Sequence, residues 1–133
     1  MEKIFVDTSA LYALIGTQDQ QLKTAVTTWQ EALERGDFLF TNNYVLVECF
    51  ALVQSRLGVE FARALQSNIV PFLHVDWIGE QQHAGIVNDV FTANRRQLSL
   101  VDCSCFETMR RLGMNKVFTF DEHFREQGFE VIP

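Results

Sequence analysis

The sequence predicts an α/β fold, a three-layer α/β/α sandwich around a central parallel sheet of about five strands. Three observations lead there. Short apolar runs of β-type composition recur at Lys3–Asp7, Phe38–Thr41, Phe72–Val75, Lys116–Phe120 and Phe129–Ile132. The segments between them mostly carry apolar residues at helical spacing, and strands alternating with helices imply a parallel sheet built through right-handed crossovers. The first and fourth runs each stop at a carboxylate, Asp7 and Asp121, where open α/β sheets bind their ligands.

In chain order, the first strand leads into a helix from Ser9 to Ile15 that the hydroxyl of Thr8 or Ser9 would cap. From Asp19 to Glu34, Leu22, Ala25, Val26, Trp29 and Leu33 share one helical face, and Gly36 lies just past the end. After the second strand, Asn42 or Asn43 caps an apolar helix from Tyr44 to Leu57, and a further helix runs from Val59 to about Ile69 with Phe61, Ala64 and Leu65 inward. Pro71 starts the third strand. Asp76 then caps a helix from Trp77 to about Ala93, with Asp89 on its solvated face; a fifth metal-ligand role for Asp76 is the lesser reading. Ser99-Leu100-Val101-Asp102 has the form of a capping box, which sets Asp102 in the first turn of a helix reaching Leu112. Gly113 ends that helix, and the last two strands follow.

A chain of 133 residues, 47% hydrophobic, fits one domain spanning 1–133 with a single core. Two prolines and seven glycines give no linker, and no apolar stretch approaches the roughly 20 residues that span a bilayer. Lys3 before apolar residues imitates a leader, but Asp7 cuts the run short, so the N-terminus reads as mature strand. Three cysteines, Cys49, Cys103 and Cys105, are an odd set without a framework; they read as core residues in a reducing, cytoplasmic setting. His74, His83 and His123 lack the i, i+4 pairing of a zinc helix, which argues against a histidine-based metal site.

Four acids interrupt or end apolar segments: Asp7, Glu48, Asp102 and Asp121. A half-buried carboxylate needs a compensating charge, and no Lys or Arg is near Glu48 in sequence. If the four converge, they repel one another unless a cation joins them, and Mg²⁺ and Mn²⁺ prefer such oxygen ligands. Without a Ser/His or Cys/His pair, an oxygen-only site suggests hydrolytic phosphoryl chemistry, in which the metal activates water and shields phosphate charge. The net charge of −6 opposes simple electrostatic capture of nucleic acid, but two divalent ions would bring it to −2. Six of the eleven basic residues (Arg95, Arg96, Arg110, Arg111, Lys116 and Arg125) also cluster around Asp102 and Asp121 in sequence. Thr8 and Ser9 are as suited to orienting Asp7 as to capping, and Ser104 lies two residues beyond Asp102.

Val6-Asp7-Thr8-Ser9-Ala10-Leu11, Glu48 in its apolar helix, Ser99-Leu100-Val101-Asp102-Cys103-Ser104 and Phe118-Thr119-Phe120-Asp121-Glu122-His123-Phe124 resemble, in order and spacing, the PIN-domain nucleases. The resemblance covers essentially the whole chain. It implies a Mg²⁺- or Mn²⁺-dependent ribonuclease acting on RNA, in which Asp7, Glu48, Asp102 and Asp121 hold the metal and Thr8 or Ser9, Ser104 and Thr119 support them. It also implies a VapC-like toxin restrained by an antitoxin protein, and a homodimer for which the Trp29 and Phe61 helices would offer apolar surface. Phe120 stands where a small or polar residue is common and Glu122 follows directly, so Asp121 and Glu122 both remain candidates for the fourth acid; Asp121 is favoured because it ends the strand.

Two other readings compete. A phospho-receiver signalling domain is similar in length and architecture, but the first strand offers only Asp7, Val75-Asp76 is the sole acceptor candidate, and Glu48 goes unexplained. A catalytically silent PIN-like binding module is the other, and four intact acids weigh against it.

Overall fold

The computed structural model describes residues 1–16 and 20–133, so the start of the expected Asp19–Glu34 helix lies outside the described residues. Five parallel strands form one sheet in the order β3-β2-β1-β4-β5, made of β1 (Lys3–Val6), β2 (Phe38–Asn42), β3 (His74–Asp76), β4 (Lys116–Phe118) and β5 (Glu130–Ile132). Helices α1 (Thr8–Ile15), α2 (Leu22–Arg35), α3 (Asn43–Leu57), α4 (Val59–Ala64), α5 (Glu80–Ala93), α6 (Leu100–Arg111) and α7 (His123–Glu126) make the crossovers. The expected parallel α/β sheet is thus the one observed. No described helix is long and apolar enough to cross a membrane.

Central strand β1 has Ile4, Phe5 and Val6 fully buried, as expected of a strand covered on both faces. Leu39, Val117 and Phe118 from the flanking strands continue this core, which Leu11, Val45, Val53 and Met109 close from the helices. Beyond β1 the order runs to β2 on one side and β4 on the other, so the β1/β4 boundary is the switch point where a crevice opens at the strand C-termini. Asp7 continues β1 there, its N–H donating to the Phe118 carbonyl at 3.2 Å.

Several elements differ from expectation. Asp7, not Thr8 or Ser9, caps α1: its carboxylate accepts from the Ala10 N–H at 3.2 Å. Pro71 sits in a 3₁₀ turn, Val70–Phe72, so β3 begins only at His74. Asp76 caps no helix, because α5 starts at Glu80 behind Gly79; its carboxylate instead pairs with the Arg111 guanidinium of α6. Helix α4 widens into a π-helical turn at Leu65–Ile69. Strand β4 ends at Phe118, short of Phe120, because the Phe120 N–H donates to the Ser9 hydroxyl at 2.9 Å in place of a ladder partner. Trp29 is buried against the Phe72 ring, and Phe61 is half-buried against the core.

Candidate active site

A cavity of about 340 Å³ opens at the β1/β4 switch point, and Asp7, Glu48, Asp102 and Asp121 all line it. Each comes from a different segment: the residue after β1, the second turn of α3, the first turn of α6, and the turn after β4. The four sequence-predicted acids are therefore brought together. Glu122 is turned outward and pairs with Arg125, leaving Asp121 as the acid of that segment facing the cavity.

Asp7 is the most enclosed of the four, at 6% exposure. Its Oδ1 accepts from the Ser9 hydroxyl at 2.8 Å and its Oδ2 from the Thr119 hydroxyl at 2.8 Å. Burial overcomes these bonds and lifts the Asp7 pKa from 3.8 to about 6; the Asp121 charge adds to the rise. The carboxylate is thus held in place without a cationic side chain to compensate it. Thr119 also accepts from the Asp121 N–H at 2.9 Å, so a single hydroxyl fixes both strand-end acids.

Asp102 closes the predicted capping box. Its Oδ2 accepts from the Ser99 N–H at 3.1 Å while the Ser99 hydroxyl accepts from the Asp102 N–H at 3.0 Å. Burial, followed by the charge of Asp121, raises its pKa despite those bonds. Asp102 thus lines the cavity while its Oδ2 serves the cap. Burial drives the Cys105 thiol well above its ordinary range, and the charges of Asp7, Asp102 and Glu48 push it further, which reflects how closely those three acids surround it.

Glu48 reaches the cavity because of how α3 is anchored. The Asn42 side chain accepts from the Val45 N–H at 2.9 Å to cap the helix, and its amide donates at 3.2 Å to both Ser104 and Thr108 on α6. One buried amide therefore ties the Glu48 helix to the Asp102 helix. Ser104, expected to support the acids, belongs to this tie: it is fully buried, donates to the Val101 carbonyl, and is absent from the cavity lining.

Sequence reasoning set His123 aside, yet its Nδ1 lies 3.3 Å from Asp121 Oδ1 and 3.6 Å from Asp102 Oδ2. One ligand atom from each of Asp102, Asp121 and His123 falls within 4.8 Å of the others. Among the described residues, His123 Nδ1 and Thr8 Oγ1 are buried polar atoms with no hydrogen-bond partner, both in segments that frame the site. Four carboxylates converging on one cavity, an uncompensated buried Asp7 and these unpartnered atoms fit a hard divalent cation. Asp76, by contrast, is committed to Arg111, which removes the one acceptor candidate of the phospho-receiver reading.

This fold, with its acidic hollow at the switch point, defines the class: residues 4–130 match the PIN domain, and the chain belongs to that family. Over 136 residues it is 33% identical to the 23S rRNA-specific endonuclease VapC20 from two strains of Mycobacterium tuberculosis, with 98% of each chain covered. The crystal structure of Mycobacterium tuberculosis VapC20, described as a Sarcin-Ricin loop cleaving toxin, matches with a TM-score of 0.87 at 30% identity, covering 98% of this chain and 99% of that one. FitAcB from Neisseria gonorrhoeae shares the fold with a TM-score of 0.68 at 16% identity, over 98% of this chain and 96% of the other.

Proposed function

We propose that this PIN-domain protein is an endoribonuclease that hydrolyses RNA phosphodiester bonds with Mg²⁺ or Mn²⁺ held by Asp7, Asp102 and Asp121, with Glu48 completing the acidic set. The observation that carries this reading is the convergence of four carboxylates, from segments far apart in the chain, on one cavity at the β1/β4 switch point.

Such a cation, when bound, lowers the pKa of water and shields phosphate charge. The chain's own groups prepare the place. Ser9 and Thr119 hold the two oxygens of Asp7, Thr119 orients Asp121 through its N–H, and Ser99 fixes the rotamer of Asp102. The unpartnered Thr8 hydroxyl is free to orient a water or a substrate oxygen beside Asp7. Asn42 keeps Glu48 and Asp102 in register across the cavity.

The similarity to VapC20 supports finer proposals: 23S rRNA as substrate, a toxin role in the cytoplasm with an antitoxin partner, and a single domain working as a homodimer. A small gene encoding a basic-tailed protein immediately upstream would favour the antitoxin pair. The direct test is incubation of purified protein with 23S rRNA and with unstructured RNA in Mn²⁺. Cleavage that is abolished by chelator and by Asp102→Asn is expected; cleavage that persists in either condition would overturn the assignment.

A further inference from the structure

The cavity that gathers the acids is also lined by Arg56, the one Lys or Arg in its wall among the described residues. Arg56 is on α3, eight residues beyond Glu48. At about 1.5 Å per residue this places it roughly 12 Å further along the helix axis. Leu52 lies between them on the same wall. The guanidinium is exposed, and its Cζ lies 5.5 Å from the centre of the Tyr12 ring, so an aromatic face seats it. Arg56 has no ion-pair partner among the described residues, as is true of Arg96 and Arg110, but neither of those lines this cavity.

We propose that Arg56 is the substrate-gripping residue of this site, its guanidinium binding a phosphate of the RNA strand that flanks the scissile one. The assignment rests on the nuclease reading above. A planar guanidinium presents paired N–H donors that match phosphate oxygens, and stacking on Tyr12 leaves its edge open for them. The separation from Glu48 decides which phosphate is bound. The scissile group must lie among the acids, so a cation on the far rim reaches a neighbouring phosphate along the strand. In a chain of net charge −6, this side chain supplies fixed positive charge where the strand enters.

Steady-state cleavage of a short labelled single-stranded RNA in Mn²⁺ tests this with Arg56→Ala, Arg56→Lys and Arg56→Met. Arg56→Ala is expected to raise KM about tenfold, the scale of one lost charge-assisted hydrogen bond, with kcat within about twofold of wild type. Arg56→Lys falls between the two, because it keeps the charge and loses the planar fork. The slope of log(1/KM) against log salt becomes shallower by about 0.7 in Arg56→Ala, as for one phosphate contact on a single strand. Arg56→Met keeps the apolar stem and reads the same contact if the alanine variant folds poorly. A wild-type KM and salt slope in Arg56→Ala, or a loss of kcat at unchanged KM, would overturn the proposal while leaving the nuclease reading intact. A wild-type protein that cleaves no RNA in Mn²⁺ would instead overturn the nuclease reading, and this assignment with it.

Discussion

Replacing Asp7 by Asn should make the metal-free protein more stable at neutral pH. Burial holds the Asp7 carboxyl at a pKa of about 6, against 3.8 for an ordinary aspartate. Well below 3.8 the group is protonated in both the folded and the unfolded chain and makes no difference. Between 3.8 and about 6 the folded protein keeps a proton that the unfolded chain has released, so stability declines as pH rises. Above about 6 the full cost is present; at about 1.36 kcal/mol per pH unit it approaches 3 kcal/mol. Asn avoids this cost while keeping an acceptor for Ser9 and the Ala10 N–H, though its amide must donate to a reoriented Thr119 hydroxyl, which offsets part of the gain. Urea unfolding in EDTA from pH 4 to 8 should therefore show Asp7→Asn ahead by about 1–3 kcal/mol at pH 7.5 and level with wild type near pH 4. Adding Mn²⁺ should raise the melting temperature of wild type and leave that of the variant unmoved. A stability difference that does not change with pH, or a wild type that is the more stable at pH 7.5 without metal, would refute the reasoning.

Asn42→Ala should cost about 2–4 kcal/mol in urea unfolding, because it removes the α3 cap and the buried amide bonds to Ser104 and Thr108 together. Asp121→Asn should lower RNA cleavage by on the order of 100-fold or more, while Glu122→Gln, at an exposed ion pair, stays within about twofold in the same assay. Thr119→Val removes a hydrogen bond that lowers the Asp7 pKa. It should move the pH window of instability upward in the EDTA titration and reduce stability by about 1–3 kcal/mol.

The fold was readable because each strand signal is local: an apolar β-type run, a carboxylate or turn at its end, then helical spacing. Asp7 and Asp121 stood out for the same reason, and Glu48 because a charge inside an apolar helix face has no local excuse. Asp76 misled because it too follows a strand, whereas its actual partner, Arg111, lies on α6 and is invisible to short-range pattern. His123 was hidden by the opposite effect. Its neighbour Asp121 is two residues away, but Asp102 comes from another element, so no metal-ligand spacing shows in the chain. Asn42 was legible as a cap and illegible as the amide that ties α3 to α6, and the part of Ser104 in that tie is equally invisible in the chain. The early end of β4 has the same origin, since the Ser9 hydroxyl from a distant turn takes the N–H of Phe120.

Crystals soaked in Mn²⁺ and measured at the manganese absorption edge probe the central claim most directly. An anomalous peak in the cavity bounded by Asp7, Asp102 and Asp121, lost in Asp102→Asn crystals, is the predicted result. Manganese bound only at surface sites away from these carboxylates, in crystals of a protein that nonetheless cleaves RNA, would contradict it.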